Sequence, residues 1–173
     1  MSKKNLGGEK NGRINKTGMI FGVISLLTFI IVRNCCDDTY EILHIFDASD
    51  IIPPLWIINL FSFIWGFLIG YAAGVVFDCI SYGGKSIIAE ISAYRGGLFF
   101  IISLFLSHAW YLAFFQNERI FLAIFLIIIA LISSIMCAFF WSSTLRSSAL
   151  ILGSYGIWLF YLFILNMSVL LHI

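Results

Sequence analysis

Charge is what this chain lacks. Beyond position 50 only Asp78, Lys85, Glu90, Arg95, Glu118, Arg119 and Arg146 carry it, and residues 51–77, 96–117, 120–145 and 147–173 contain no Asp, Glu, Lys or Arg. Each of these runs is at least as long as the roughly 20 residues a helix needs to cross about 30 Å of hydrocarbon. A soluble fold is excluded, because a chain that is 61% hydrophobic and 11% charged cannot cover its own surface with polar groups at 173 residues. Proline occurs twice, side by side at Pro53 and Pro54. There it would start the second helix at no cost, since the first N–H groups of a helix have no partner to lose. Cysteine is sparse: Cys35 and Cys36 are adjacent, Cys79 and Cys137 lie apart, and no CxxC or Cys/His spacing suggests a zinc site. A bond between chains through Cys35 or Cys36 is the minor reading, and Cys137 reads as apolar filler. Buried carboxylates are missing from the runs, which argues against an ion-coupled transporter. No phosphate-binding loop or hydrolase triad is present, and no nucleic-acid partner is expected.

What is there is a series of five apolar runs. The fifth, residues 17–32, is short, but flanking Lys and Arg side chains can reach the headgroups. The reading is an all-α polytopic membrane protein: a basic N-terminal tail over 1–16, then a five-helix transmembrane domain over 17–173 with approximate spans 17–33, 51–78, 96–115, 120–141 and 149–172. The tail carries Lys3, Lys4, Lys10, Arg13 and Lys16 against Glu9, and the first loop is acidic. With Lys85, Arg95 and Arg146 on the same side as the tail, the excess of Lys and Arg puts the N-terminus in the cytoplasm and the C-terminus outside. The tail is an orientation signal, with anionic lipid binding as its alternative. A cleaved signal peptide is disfavoured by the 16 residues before the apolar core and the lack of a small-x-small site after it. A bacterial cell membrane fits the charge pattern.

Polar residues within the runs are few, and each is a functional candidate. Ser103, Ser107, Trp110 and Phe114 follow at i, i+4, i+7 and i+11 on one face of the third helix, and Tyr155, Trp158, Leu162 and Asn166 do the same on the fifth. Such faces turn inward, either to bond another helix or to line a cavity. His108 is the ionisable side chain nearest the middle of a span. It would ligate haem iron or bond a propionate, or be a neutral imidazole bonded to a neighbouring helix. Gly66, Gly70 and Gly74 form a stripe that lets two backbones approach closely. Packing within the bundle is preferred, with a homodimer as the alternative. Trp56 and Trp141 near span ends read as interfacial aromatics.

In order along the chain stand Tyr40-x-x-Leu43, Pro53-Pro54, Leu106-Ser107 with Trp110 and Phe114-Phe115, Tyr155-x-x-Trp158 and Leu165-Asn166. This succession resembles the TspO/MBR family of translocator and tryptophan-rich sensory proteins, over about residues 18–170. The resemblance implies five transmembrane helices around a pocket opening toward the first loop, which binds porphyrins or haem, other tetrapyrroles, or similar hydrophobic ligands. Transferred residue by residue, the ligand set is Ser62, Ser107, Trp110, Phe114, Tyr155, Trp158 and Leu162, to which this chain's own residues add Trp65 and His108, a histidine the family pattern does not require. Trp65, Trp110 and Trp158 would supply stacking and apolar burial, and Tyr155 and Ser107 hydrogen bonds. The chain departs from the family pattern in several places. Thr39 stands where the family has a first-loop Trp, Ser62 where it has a second-helix Trp, Ser107 where it has Asn, and Leu162 where it has a small residue. Trp65, one turn beyond Ser62, is the substitute indole. The expected role is a binding protein acting as sensor, regulator or carrier, with no cofactor required. Light-dependent porphyrin breakdown using Trp158 and Trp65, or a ligand-free accessory subunit, are the alternatives.

Overall fold

The computed structural model describes residues 15–36, 53–82, 86–116 and 119–172. The basic tail up to residue 14, the first loop with Tyr40 and Leu43, and Lys85 lie outside the described residues. Five helices follow one another: α1 (Lys16–Cys35), α2 (Leu55–Tyr82), α3 (Ile87–Tyr111), α4 (Ile120–Ser142) and α5 (Arg146–His172). A π-helical turn, Leu112–Gln116, extends α3. Each of the five is long and apolar enough to cross a membrane, so the fold is an all-α five-helix membrane bundle.

Local sequence sets the helix starts. The Asn15 side chain accepts from the Gly18 N–H at 3.0 Å, and the Ser86 hydroxyl accepts from that of Ala89 at 3.4 Å, each satisfying a donor that the first turn leaves open. α3 begins nine residues before the uncharged run at 96, with Glu90 and Arg95 exposed on it. Charge marks where hydrocarbon ends, whereas a helix propagates through charged residues without difficulty. The apolar run therefore does not mark where the helix begins.

The helices form a ring in the order α1, α2, α5, α4, α3, with α3 returning only lightly to α2 and α1. The tightest seam is α1 against α2. A Cβ on Gly70 would lie 2.5 Å from the Phe21 carbonyl oxygen and 2.6 Å from the Ser25 Cβ; on Gly74 it would lie 2.7 Å from the Gly18 Cα. Gly66 makes room for the Phe29 ring, and Gly22 in turn receives Phe67. The glycine stripe of α2 thus packs within the bundle, against a second small-residue stripe on α1.

Buried hydroxyls tie the remaining seams. Ser103 donates to the Ala130 carbonyl across α3 and α4 at 3.1 Å, Ser134 to that of Leu152 across α4 and α5 at 2.9 Å, and Ser148 to that of Ala72 across α5 and α2 at 3.1 Å. Each is a hydroxyl that hydrocarbon would leave without a partner. Cys137 is fully buried among them. Trp141, expected at the interface, is only 2% exposed: its indole N–H donates to the Ala93 carbonyl at 3.2 Å, and the ring fills the space left by Gly96. The lack of a side chain at Gly96, on another helix, draws this indole inward. Trp56, by contrast, is 64% exposed.

The α1–α2 seam yields a direct test. Gly70→Ala is expected to lower stability by about 1–3 kcal/mol through overpacking, read as a lower thermal unfolding temperature in detergent. Gly153→Ala, where a Cβ meets nothing within 4 Å, should lose none.

Candidate ligand-binding site

Between α1, α2, α3 and α5 lies a cavity lined by Phe29, Ser62, Ser107, Trp110, Tyr155 and Trp158, with Tyr111, Leu159 and Leu162 completing it. The two helix faces picked out by spacing supply most of it. Ser107 and Trp110 come from α3, and Tyr155, Trp158 and Leu162 from successive turns of α5. The π turn after Tyr111 lets Trp110, Tyr111, Phe114 and Phe115 all be buried at the end of α3. Such turns occur mostly where a helix must re-aim its side chains.

Most donors and acceptors in the site are already paired. Ser107 donates to the Ser103 carbonyl at 2.7 Å, so at the 2.7 Å contact between the Tyr155 and Ser107 hydroxyls it is Tyr155 that donates. The Trp110 indole donates to Asn166 Oδ1 at 3.3 Å, and the Asn166 amide donates to the Leu162 carbonyl at 2.6 Å. Tyr111 donates to Asn59 Oδ1 at 2.5 Å. A ligand entering here finds the Tyr155 oxygen still able to accept and the Ser62 hydroxyl on the wall, within walls that are otherwise largely apolar and aromatic.

The cavity is nearly filled by its own walls, with about 10 Å³ free, room for about one water. Two side chains close it: Phe29, which reaches across from α1 over Gly66, and Leu162, 2% exposed, from α5. Trp158 lies half-buried at the edge, stacked on Phe61 at 5.3 Å and on Tyr161 at 5.3 Å.

Other candidate residues fall beside the cavity. Trp65 is half-buried, with its ring 6.0 Å from that of Tyr155, and Phe114 backs Trp110 at 5.7 Å. His108 points to α1. Its Nδ1 donates to the Leu104 carbonyl at 2.6 Å, Nε2 lies 3.1 Å from the Thr28 hydroxyl, and the ring packs on Phe29 at 4.3 Å. Because the Thr28 oxygen also lies 2.7 Å from the Ser25 carbonyl, its one proton serves Nε2 when His108 is neutral and Ser25 when it is charged. Both ring nitrogens are engaged, so a haem iron could bind His108 only by displacing Thr28.

Sequence reasoning missed Phe29, Tyr111 and Leu159. Tyr111 follows Ser107 by four residues, and Leu159 follows Tyr155 by four, so helical spacing could have found both. Phe29 sits in an all-apolar run with no distinguishing signal.

The architecture defines a class: a five-helix membrane protein with a tryptophan-, tyrosine- and serine-lined cavity between α1, α2, α3 and α5. A family model, that of the TspO/MBR family, matches residues 17–171, and the chain belongs to that family. No curated protein matches the chain.

The Trp110–Asn166 bond is testable without a ligand. Asn166→Leu leaves a buried indole N–H without its acceptor and is expected to cost on the order of 1 kcal/mol. It should appear as a lower unfolding temperature together with a changed near-ultraviolet dichroism from Trp110.

Proposed function

We propose that this protein binds a tetrapyrrole, or a similarly flat hydrophobic ligand, within its helix bundle and acts as a sensor, regulator or carrier in the membrane. The observation that carries this reading is the convergence of Trp110, Tyr155, Trp158, Ser107 and Ser62 on one cavity from three helices. A flat aromatic ligand gains apolar burial and ring stacking from two indoles, while the Tyr155 and Ser62 hydroxyls can fix its edge. Family membership supports the same class of ligand.

Binding on these terms requires the walls to part. Phe29 is the side chain best placed to yield, because it reaches the cavity from α1, and α1 touches α3 only lightly. Leu162 sets the lower bound on cavity size from the opposite wall. The ligand's affinity is therefore reduced by the fraction of time the cavity spends closed.

Protoporphyrin IX titrated into detergent-purified protein is expected to bind saturably in the micromolar range, followed by its own absorbance band. Trp158→Phe should weaken binding several-fold, in line with the roughly 0.5–1.5 kcal/mol that an aromatic pair adds beyond burial. Leu162→Ala should tighten binding while lowering the unfolding temperature, since it removes a wall and opens a void. Linear, non-saturating uptake that is equal in all three proteins would refute the reading.

A further inference from the structure

A second and larger cavity lies away from the candidate site. It holds about 420 Å³, within the roughly 300–1,000 Å³ typical of ligand pockets. Its walls include Phe21, Phe77, Tyr94, Gly97, Phe100 and Trp141. It opens along the loose α2–α3 seam, where Phe77, Leu98 and Ile101 are 54%, 59% and 62% exposed on the face that meets the bilayer. Small residues create it: Ala73 and Ala93 line it, and a Cβ on Gly97 would meet nothing within 4 Å. Stacked rings form its sides, Phe21 with Phe77 at 5.9 Å and Phe100 with Trp141 at 5.7 Å.

We infer that this cleft is a lipid slot, occupied by an acyl chain of a membrane phospholipid. Three observations select that occupant. Water does not fill it, because a water needs two to four polar partners and the lining is almost wholly hydrocarbon. Emptiness is unfavourable, because wall atoms facing a void forfeit their dispersion contacts. Inside the cleft the lining gives the polar ring nitrogens of a tetrapyrrole no partner beyond the Tyr94 hydroxyl, whereas an acyl chain needs none there. The cleft is instead continuous with the bilayer surface, where acyl chains are the most abundant solute. The same end of the bundle carries exposed Lys16 and Arg95, cations for a headgroup phosphate, with Asp78 and Glu90 nearby to meet an ammonium where the headgroup has one.

Gly97 permits a clean test, since a Cβ there meets no protein atom within 4 Å and a larger side chain grows from it into the open cleft. Native mass spectrometry would be run on protein extracted from vesicles of palmitoyl-oleoyl phosphatidylglycerol and phosphatidylethanolamine. Wild type and Gly153→Phe, the same change at another open position, should each keep one phospholipid. Gly97→Phe should reduce that adduct at least tenfold, and Gly97→Leu should do so to a lesser degree. Added phospholipid should raise the unfolding temperature of wild type and not of Gly97→Phe. No adduct on wild type, or equal adducts on all variants, would overturn the proposal. Loss of protoporphyrin binding in Gly97→Phe would also overturn it, by making the cleft a tetrapyrrole site. If protoporphyrin never binds while the lipid pattern holds, only the proposed function fails.

Discussion

Inside hydrocarbon a hydroxyl, amide or indole N–H has no water to turn to, and this constraint arranges most seams of the bundle, with the buried Ser25 hydroxyl on α1 left without a partner. Ser103, Ser134 and Ser148 each reach a carbonyl on a neighbouring helix, and the side chains of Asn166 and Trp110 bond to one another. The result is a set of seams whose register is fixed by hydrogen bonds and whose closeness is fixed by glycine. α1 and α2 are the extreme case: Gly18, Gly22, Gly70 and Gly74 remove the side chains that would hold the two backbones apart. That close pair also carries Phe29 over Gly66 and into the candidate cavity, so packing at one seam determines whether the site is open.

The site itself is a compromise between two demands of the same solvent. A cavity large enough for a macrocycle and lined by polar groups would leave those groups unsatisfied whenever the ligand is absent. Here most of the polar groups bond to one another, Tyr155 to Ser107 and Tyr111 to Asn59, and Phe29 and Leu162 fill the volume. A bound ligand must therefore replace good protein contacts, which favours ligands with much flat apolar area. The α2–α3 cleft has no such self-filling, and its wall chemistry selects hydrocarbon.

Much of this was legible in the amino-acid order. Uncharged runs pointed to the five apolar helices, and the i, i+4, i+7 spacing of Ser103, Ser107 and Trp110 correctly predicted an inward face. The motif succession named the family. What escaped depended on which helices are neighbours. Trp141 looked like an interfacial residue because the space that buries it belongs to Gly96 on α3, far away in sequence. Phe29 escaped because one phenylalanine in an apolar run looks like any other until Gly66 is placed opposite it. The start of α3 escaped because charge reports the edge of hydrocarbon and not the end of a helix.

The five tryptophans, Trp56, Trp65, Trp110, Trp141 and Trp158, sit in distinct surroundings and make the central claim directly measurable. Their indole N–H resonances, assigned in detergent, would be recorded with and without manganese(III) protoporphyrin, whose unpaired electrons broaden nearby signals. Ligand held in the cavity among α1, α2, α3 and α5 predicts loss of the Trp110 and Trp158 signals, partial broadening of Trp65, and persistence of Trp56 and Trp141. Uniform broadening of all five, or selective loss of Trp141, would contradict it.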